Sequence, residues 1–209
     1  MSNVKIKICG LRRTQDVAYV NKSKPDFAGF VFAKSKRQVT AAQAAKLKAQ
    51  LAPEIKAVGV FVNAEPEFIA KLAAAGTIDI AQLHGDEDAA YCERLRKLVS
   101  VPIIKVVRVK DASSLQGLEK FACDYFLFDT YAADAYGGTG KRFDMQLVDK
   151  LKITKPYFIA GGLDADNVSG VLQKTNAFAV DVSGGVETEG YKDPQKIAAF
   201  IASVRGEKQ

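Results

Sequence analysis

The stretch YFIAGGLDADNVSGVLQKTNAFAVDVSGG, residues 157–185, holds one complete strand–helix–strand unit. Tyr157-Phe158-Ile159-Ala160 is a short apolar run of strand type, and Phe178-Ala179-Val180-Asp181 is a second. Between them, Val168, Val171 and Leu172 fall at helical spacing. Each strand runs straight into small residues, Gly161-Gly162 after the first and Ser183-Gly184-Gly185 shortly after the second. Glycines there let backbone N–H groups come close to an anion, or simply make tight turns.

The same rhythm extends to the start of the chain. Strand-type runs Lys5–Ile8, Phe27–Phe32, Lys56–Phe61, Ile78–Gln82, Ile103–Val107 and Tyr125–Phe128 precede the two already quoted. Helical signals separate them. Thr40 is placed to cap a helix whose Ala44, Leu47 and Leu51 share a face. Pro66 opens an alanine-rich helix that Gly76 closes. Tyr91, Leu95 and Leu98 stripe another, with Cys92 packed among them, and Asp193-Pro194 starts a last one carrying Ile197, Phe200, Ile201 and Val204. Ser113–Phe121 gives the weakest helical signal. Eight strand–helix units in 209 residues predict an α/β fold, a (β/α)8 TIM barrel, as a single domain over residues 1–209.

Composition narrows the function class. The chain is 48% hydrophobic and 26% charged with a net charge of +6, ordinary values for a globular domain. The lysines alternate with acids, so no basic stripe for nucleic acid stands out. No apolar run is long enough for a membrane-spanning helix. Met1-Ser2-Asn3-Val4-Lys5 leads directly into a strand without a signal-peptide core, which predicts a cytoplasmic protein. Cys9, Cys92 and Cys123 form no CxxC pair, and a single histidine, His84, makes a catalytic metal centre a poor reading. No cofactor is expected. A monomer and a homodimer fit the sequence equally.

In such a barrel the chemistry lies at the C-terminal strand ends. Cys9 follows the first strand, Ser35-Lys36-Arg37 the second, and His84 the fourth. Asp129 ends the sixth, Gly161 and Gly162 the seventh, and Asp181, Ser183 and Gly184 the eighth. The two glycine clusters after the last two strands mark a phosphate site, and hence a small phosphorylated ligand. Gly137-Gly138-Thr139-Gly140-Lys141 lacks the first glycine and the Ser/Thr of a Walker motif, and reads as a lid or a plain loop. His84 is a positioning group or a packed one. A non-catalytic ligand-binding barrel would explain the glycines but not Cys9 and Asp129 on one rim.

The motifs Lys7-Ile8-Cys9-Gly10-Leu11, Gly29-Phe30-Val31-Phe32 with Ser35-Lys36-Arg37, and Val58-Gly59-Val60-Phe61-Val62-Asn63 form one ordered series. Gln82-Leu83-His84-Gly85, Phe128-Asp129-Thr130, Ala160-Gly161-Gly162-Leu163 and Asp181-Val182-Ser183-Gly184-Gly185-Val186-Glu187 continue it. Together they resemble the phosphoribosylanthranilate isomerases over essentially the whole chain. The family commonly has proline where Lys36 stands, serine where Gly184 stands and often tryptophan where Met145 stands. The resemblance implies a cofactor-free Amadori rearrangement in tryptophan biosynthesis. Asp129 is then the general acid at the ribose ring oxygen and Cys9 the general base at C2. Arg37 would hold the anthranilate carboxylate, and Asp181 the anthranilate amine or a sugar hydroxyl. Such roles require burial to raise the pKa of Asp129 and positive neighbours to lower that of Cys9. The histidine-pathway relative uses aspartate where Cys9 stands, which sets it aside.

Overall fold

The computed structural model describes residues 4–109, 112–129 and 154–206. Eight parallel strands close on themselves: β1 (Lys5–Cys9), β2 (Phe27–Val31), β3 (Lys56–Phe61), β4 (Ile80–Leu83), β5 (Ile103–Arg108), β6 (Tyr125–Asp129), β7 (Tyr157–Ala160) and β8 (Ala179–Val182). The seam is made by β8 against β1, with Lys7 opposite Asp181 and Ile8 opposite Val182. Around the barrel lie α1 (Thr14–Ser23), α2 (Ala41–Lys48), α3 (Pro66–Ala74), α4 (Ala89–Leu98), α5 (Val168–Leu172) and α6 (Pro194–Arg205). The weak fifth helical signal is two 3-10 turns, Ala112–Leu115 and Leu118–Lys120, separated by Gly117 at φ +69°.

Strand pleating explains why each run reads as it does. Along β1, Ile6 and Ile8 pack outward in the helix-facing core, so Lys7 and Cys9 face the barrel interior. Phe27, Val58, Ile80, Ile104, Leu127, Phe158 and Ala179 fill that interior as a separate apolar cluster. A plug of this kind leaves the barrel packed below and open only at its mouth. Among the described residues no helix is long and apolar enough to cross a membrane.

The lower rim repeats a device with a two-strand period. Asp26, Asp79 and Asp124 each stand one residue before an even-numbered strand. Their carboxylates accept from the amides of Ile6 (2.9 Å), Ala57 (2.7 Å) and Ile103 (2.7 Å) on the preceding odd strand. Each carboxylate also meets a cation, Lys5, Lys48 and Arg96 in turn. Amides at the strand starts are thereby satisfied without water.

Most helix signals hold, with two corrections: Leu51, though buried, lies beyond the end of α2 at Lys48, and Leu98 is exposed. Thr40 caps α2 and Gln43 returns the bond to the Thr40 amide, a reciprocal box. Asp193 accepts from the amides of Gln195 and Lys196 ahead of α6, and Gly76 sits at φ +66° beyond α3. Leu98 does not belong to the buried stripe of α4: it is 48% exposed, whereas Tyr91, Cys92 and Leu95 are buried. The fourth and eighth strands begin two and one residues later than the apolar runs that announce them, at Ile80 and Ala179. Ile78 instead packs into the helix layer, and Asp79 serves the rim device.

Candidate active site

A cavity of about 650 Å³ opens at the C-terminal mouth of the barrel. Cys9, Ser35, Arg37, His84, Asp129, Gly161, Gly162, Asp181, Ser183 and Gly184 all line it, whereas Lys36, also at the rim, points away with its side chain 65% exposed. The segment Gly137–Lys141 and Met145 lie outside the described residues.

Cys9 ends β1 and is buried. Its sulfur fits because Gly29 on β2 has no side chain: a Cβ there would stand 2.7 Å from Cys9 Sγ. Beneath it, Lys7 donates to both carboxylate oxygens of Asp181 at 2.9 Å, with Lys7 wholly buried. Burial opposes the Lys7 charge, but Asp181 and Cys9 outweigh it and hold the ammonium above its ordinary range. The expected lowering of Cys9 is corrected. Burial dominates and pushes its thiol up, although Lys7 and Lys192 pull it down. Close packing of the sulfur against Gly29 and the strand walls removes more water from it than two cations replace.

Arg37 is held from behind. Its Nε and Nη2 donate to Glu187 Oε1 and Oε2 at 2.7 Å, and that bond to Glu187 raises its already high pKa. Three of the five guanidinium N–H groups remain for a ligand, including the end-on pair that matches a carboxylate. Lys192 also donates to Glu187 Oε1 (2.8 Å) and to the Ser183 carbonyl (2.9 Å). Burial works against the Glu187 charge, yet the bonds to Arg37 and Lys192 win and its pKa falls to about 2. For Lys192 burial wins, and its pKa is drawn down despite Glu187. Gly10 clears the space: a Cβ there, on a backbone at φ +86°, would lie 2.4 Å from Arg37 Cδ.

The glycine pairs also carry backbone roles. Gly161 and Gly162 adopt φ +104° and +63°, a region other residues avoid. Gly184–Val186 form a 3-10 turn, whose leading N–H groups have no partner inside the turn. The Ser183 hydroxyl donates to the Cys9 carbonyl at 3.0 Å. Its proton is thus already engaged, which leaves its amide as the donor for an anion.

On the other side of the mouth, Asp129 ends β6 and His84 follows β4. His84 Nε2 lies 3.5 Å from Asp129 Oδ2, and Gln82 Nε2 lies 3.1 Å from His84 Nδ1. Lys7, Gln82, Glu187 and Lys192 escaped the sequence reading as site residues. Three of them do carry a signal: Lys7, Gln82 and Glu187 lie inside motifs whose other members were assigned.

A parallel eight-stranded barrel with a thiol, a carboxylate, an imidazole and a guanidinium around a glycine-edged mouth defines a TIM-barrel enzyme. The family model described as N-(5'phosphoribosyl)anthranilate (PRA) isomerase matches residues 6–203. An N-(5'-phosphoribosyl)anthranilate isomerase from Thermoanaerobacter sp. (strain X514) is 46% identical over 203 residues, 97% of this chain and 98% of that protein. The crystal structure of phosphoribosyl anthranilate isomerase from Thermotoga maritima superposes with a TM-score of 0.86 at 35% identity, covering 97% of this chain and 99% of that one. A phosphoribosyl anthranilate isomerase in complex with reduced 1-(o-carboxyphenylamino)-1-deoxyribulose 5-phosphate gives 0.84 at 32% identity, covering 97% and 99%. The chain belongs to the phosphoribosylanthranilate isomerase family. It is an isomerase, of the aldose–ketose kind, from tryptophan biosynthesis.

Proposed function

We propose that Cys9 and Asp129 carry out the isomerisation of N-(5-phosphoribosyl)anthranilate to 1-(2-carboxyphenylamino)-1-deoxyribulose 5-phosphate. Asp129 gives its proton to the ribose ring oxygen as the C1–O bond breaks and the anthranilate nitrogen lone pair forms the C=N bond. The Cys9 thiolate then takes the proton from C2, and the enol that results tautomerises to the ketone. The observation that carries this reading is the placement of both groups on one cavity, at strand ends three strands apart around the barrel. An acid and a base on different staves can address one sugar from different sides.

The remaining groups fit binding roles. Arg37 takes the anthranilate carboxylate on the N–H groups that Glu187 leaves free. Asp181, with each oxygen holding one bond from Lys7, keeps lone pairs for the anthranilate amine or a sugar hydroxyl. Backbone N–H groups around Gly161, Gly162, Ser183 and Gly184 receive the phosphate. Lys7 and Lys192 supply the positive charge against which the thiolate forms once substrate covers the site.

Cys9→Ala and Asp129→Asn, assayed by fluorescence with freshly made phosphoribosylanthranilate, should each lose turnover by at least about 10²-fold. Circular dichroism should stay that of the wild type. Near-normal turnover in either variant would remove that residue from the mechanism.

A further inference from the structure

We propose that Gln82 is a positioning residue that sets the tautomer of His84 so that the imidazole presents an N–H to Asp129. Gln82 lies on β4 with its side chain turned into the barrel mouth, and it is wholly buried. Its Nε2 stands 3.1 Å from His84 Nδ1. An amide nitrogen can only donate, so Nδ1 must offer its lone pair, and the ring proton resides on Nε2. That nitrogen is the one 3.5 Å from Asp129 Oδ2. The distance is long for a hydrogen bond in the free enzyme, and such contacts tighten when substrate closes a site.

This arrangement has a chemical consequence, which rests on Asp129 being the acid. With Nε2 already protonated, His84 offers no lone pair to the Asp129 proton and does not compete with the sugar for it. Once it has gone, the Nε2–H faces the carboxylate left behind and stabilises it. The opposite tautomer would do both things wrongly: it would compete for the proton and then turn a lone pair towards the anion.

A second feature concerns the other end of the amide. Gln82 Oε1 is buried with no hydrogen-bond partner among the described residues. A buried amide oxygen left unmatched is costly, and leucine or methionine would fill the same place without that cost. Among the described residues the amide makes its one polar side-chain contact through its nitrogen, to His84 Nδ1.

Because His84 is the single histidine, nitrogen-15 labelling of histidine gives a spectrum with one imidazole and no assignment problem. In the substrate-free wild type, above the range where an imidazole titrates, Nε2 should carry the proton and Nδ1 should show the shift of an unprotonated nitrogen. Gln82→Glu should reverse the pattern, because a carboxylate accepts from Nδ1–H. Gln82→Met should lower kcat on the order of tenfold with KM within about twofold, the signature of a group acting on the chemical step. A protonated Nδ1 in the wild type, an unchanged pattern in Gln82→Glu, or an unchanged kcat in Gln82→Met would overturn the proposal. The wild-type spectrum needs no variant to fold. It also needs no turnover, so an active Asp129→Asn enzyme would end the acid assignment while leaving the tautomer result in place.

Discussion

The ammonium of Lys7 sits 2.9 Å from each carboxylate oxygen of Asp181, and the pair joins the first strand of the barrel to the last. Lys7 has no water to fall back on, its side chain being 0% exposed, and Asp181, 8% exposed, keeps only its edge on the mouth cavity. Removing one charge strands the other. Lys7→Met should therefore cost about 3–5 kcal/mol in urea unfolding. The double variant Lys7→Met/Asp181→Leu should regain most of that while remaining inactive, because an apolar pair of similar size removes the uncompensated charge.

The direction in which burial moves Cys9 fixes a pH dependence. The base must be a thiolate, and its pKa in the free enzyme lies above the ordinary thiol value. The rate at which iodoacetamide modifies Cys9 in the absence of substrate, which follows the thiolate alone, should then keep rising with pH through and beyond about 8.5. Values of kcat/KM should not follow that curve, because Asp129 must hold its proton in the same step. An alkylation rate already flat at pH 7 would contradict the burial argument.

Glu187 gives a prediction at the acid end. Its folded pKa of about 2 lies below the unfolded carboxylate range of about 4.3. A lowered value means stability that is present above about pH 4.3 and is lost as pH falls through about 2. Glu187→Gln should be less stable than wild type at pH 7, on the order of 2 kcal/mol, and the gap should narrow steadily on acidification towards pH 2. The same variant frees Arg37 from its bidentate hold, so KM should rise more than kcat falls.

Two glycines test the geometry of the base and the carboxylate clamp separately. Gly29→Ala would put a methyl 2.7 Å from Cys9 Sγ, and its main effect should be on kcat. Gly10→Ala meets Arg37 Cδ at 2.4 Å and forces alanine into a left-handed backbone, so it should raise KM and lower stability together. Steady-state kinetics and thermal unfolding of the two variants would show whether the effects divide in this way.

Much of the fold was legible because a strand in a closed barrel buries both faces and reads as a compact apolar run. The runs at Lys56–Phe61 and Tyr157–Ala160 match the observed strands residue for residue. The helix α1 gave no such signal: apart from Asp16 it buries only Val17 and Val20, too few to make a stripe. What holds its start is the buried carboxylate of Asp16, which accepts from the amides of Arg12 and Arg13. The small hairpin of Glu187–Thr188 and Tyr191–Lys192 was equally silent, although Glu189-Gly190 at its tip supplies two residues at positive φ. Within the site, residue type pointed to Cys9, Arg37 and Asp129. Glu187 and Lys192 were missed because their importance lies in what they touch across the mouth. A one-dimensional reading sees their charge but not their partner.

The hydroxyl of Ser183 reaches the carbonyl of Cys9 across 174 residues of chain. During synthesis at roughly 5–20 residues per second, the stave bearing the thiol therefore waits on the order of 10–35 s for the neighbour that completes its pocket. Through that interval the sulfur lacks the β8 side of its pocket, where Asp181 and Ser183 stand in the finished barrel. A nascent chain stalled before its final stave thus has its thiol in place but neither a closed barrel nor Asp181 beside Lys7.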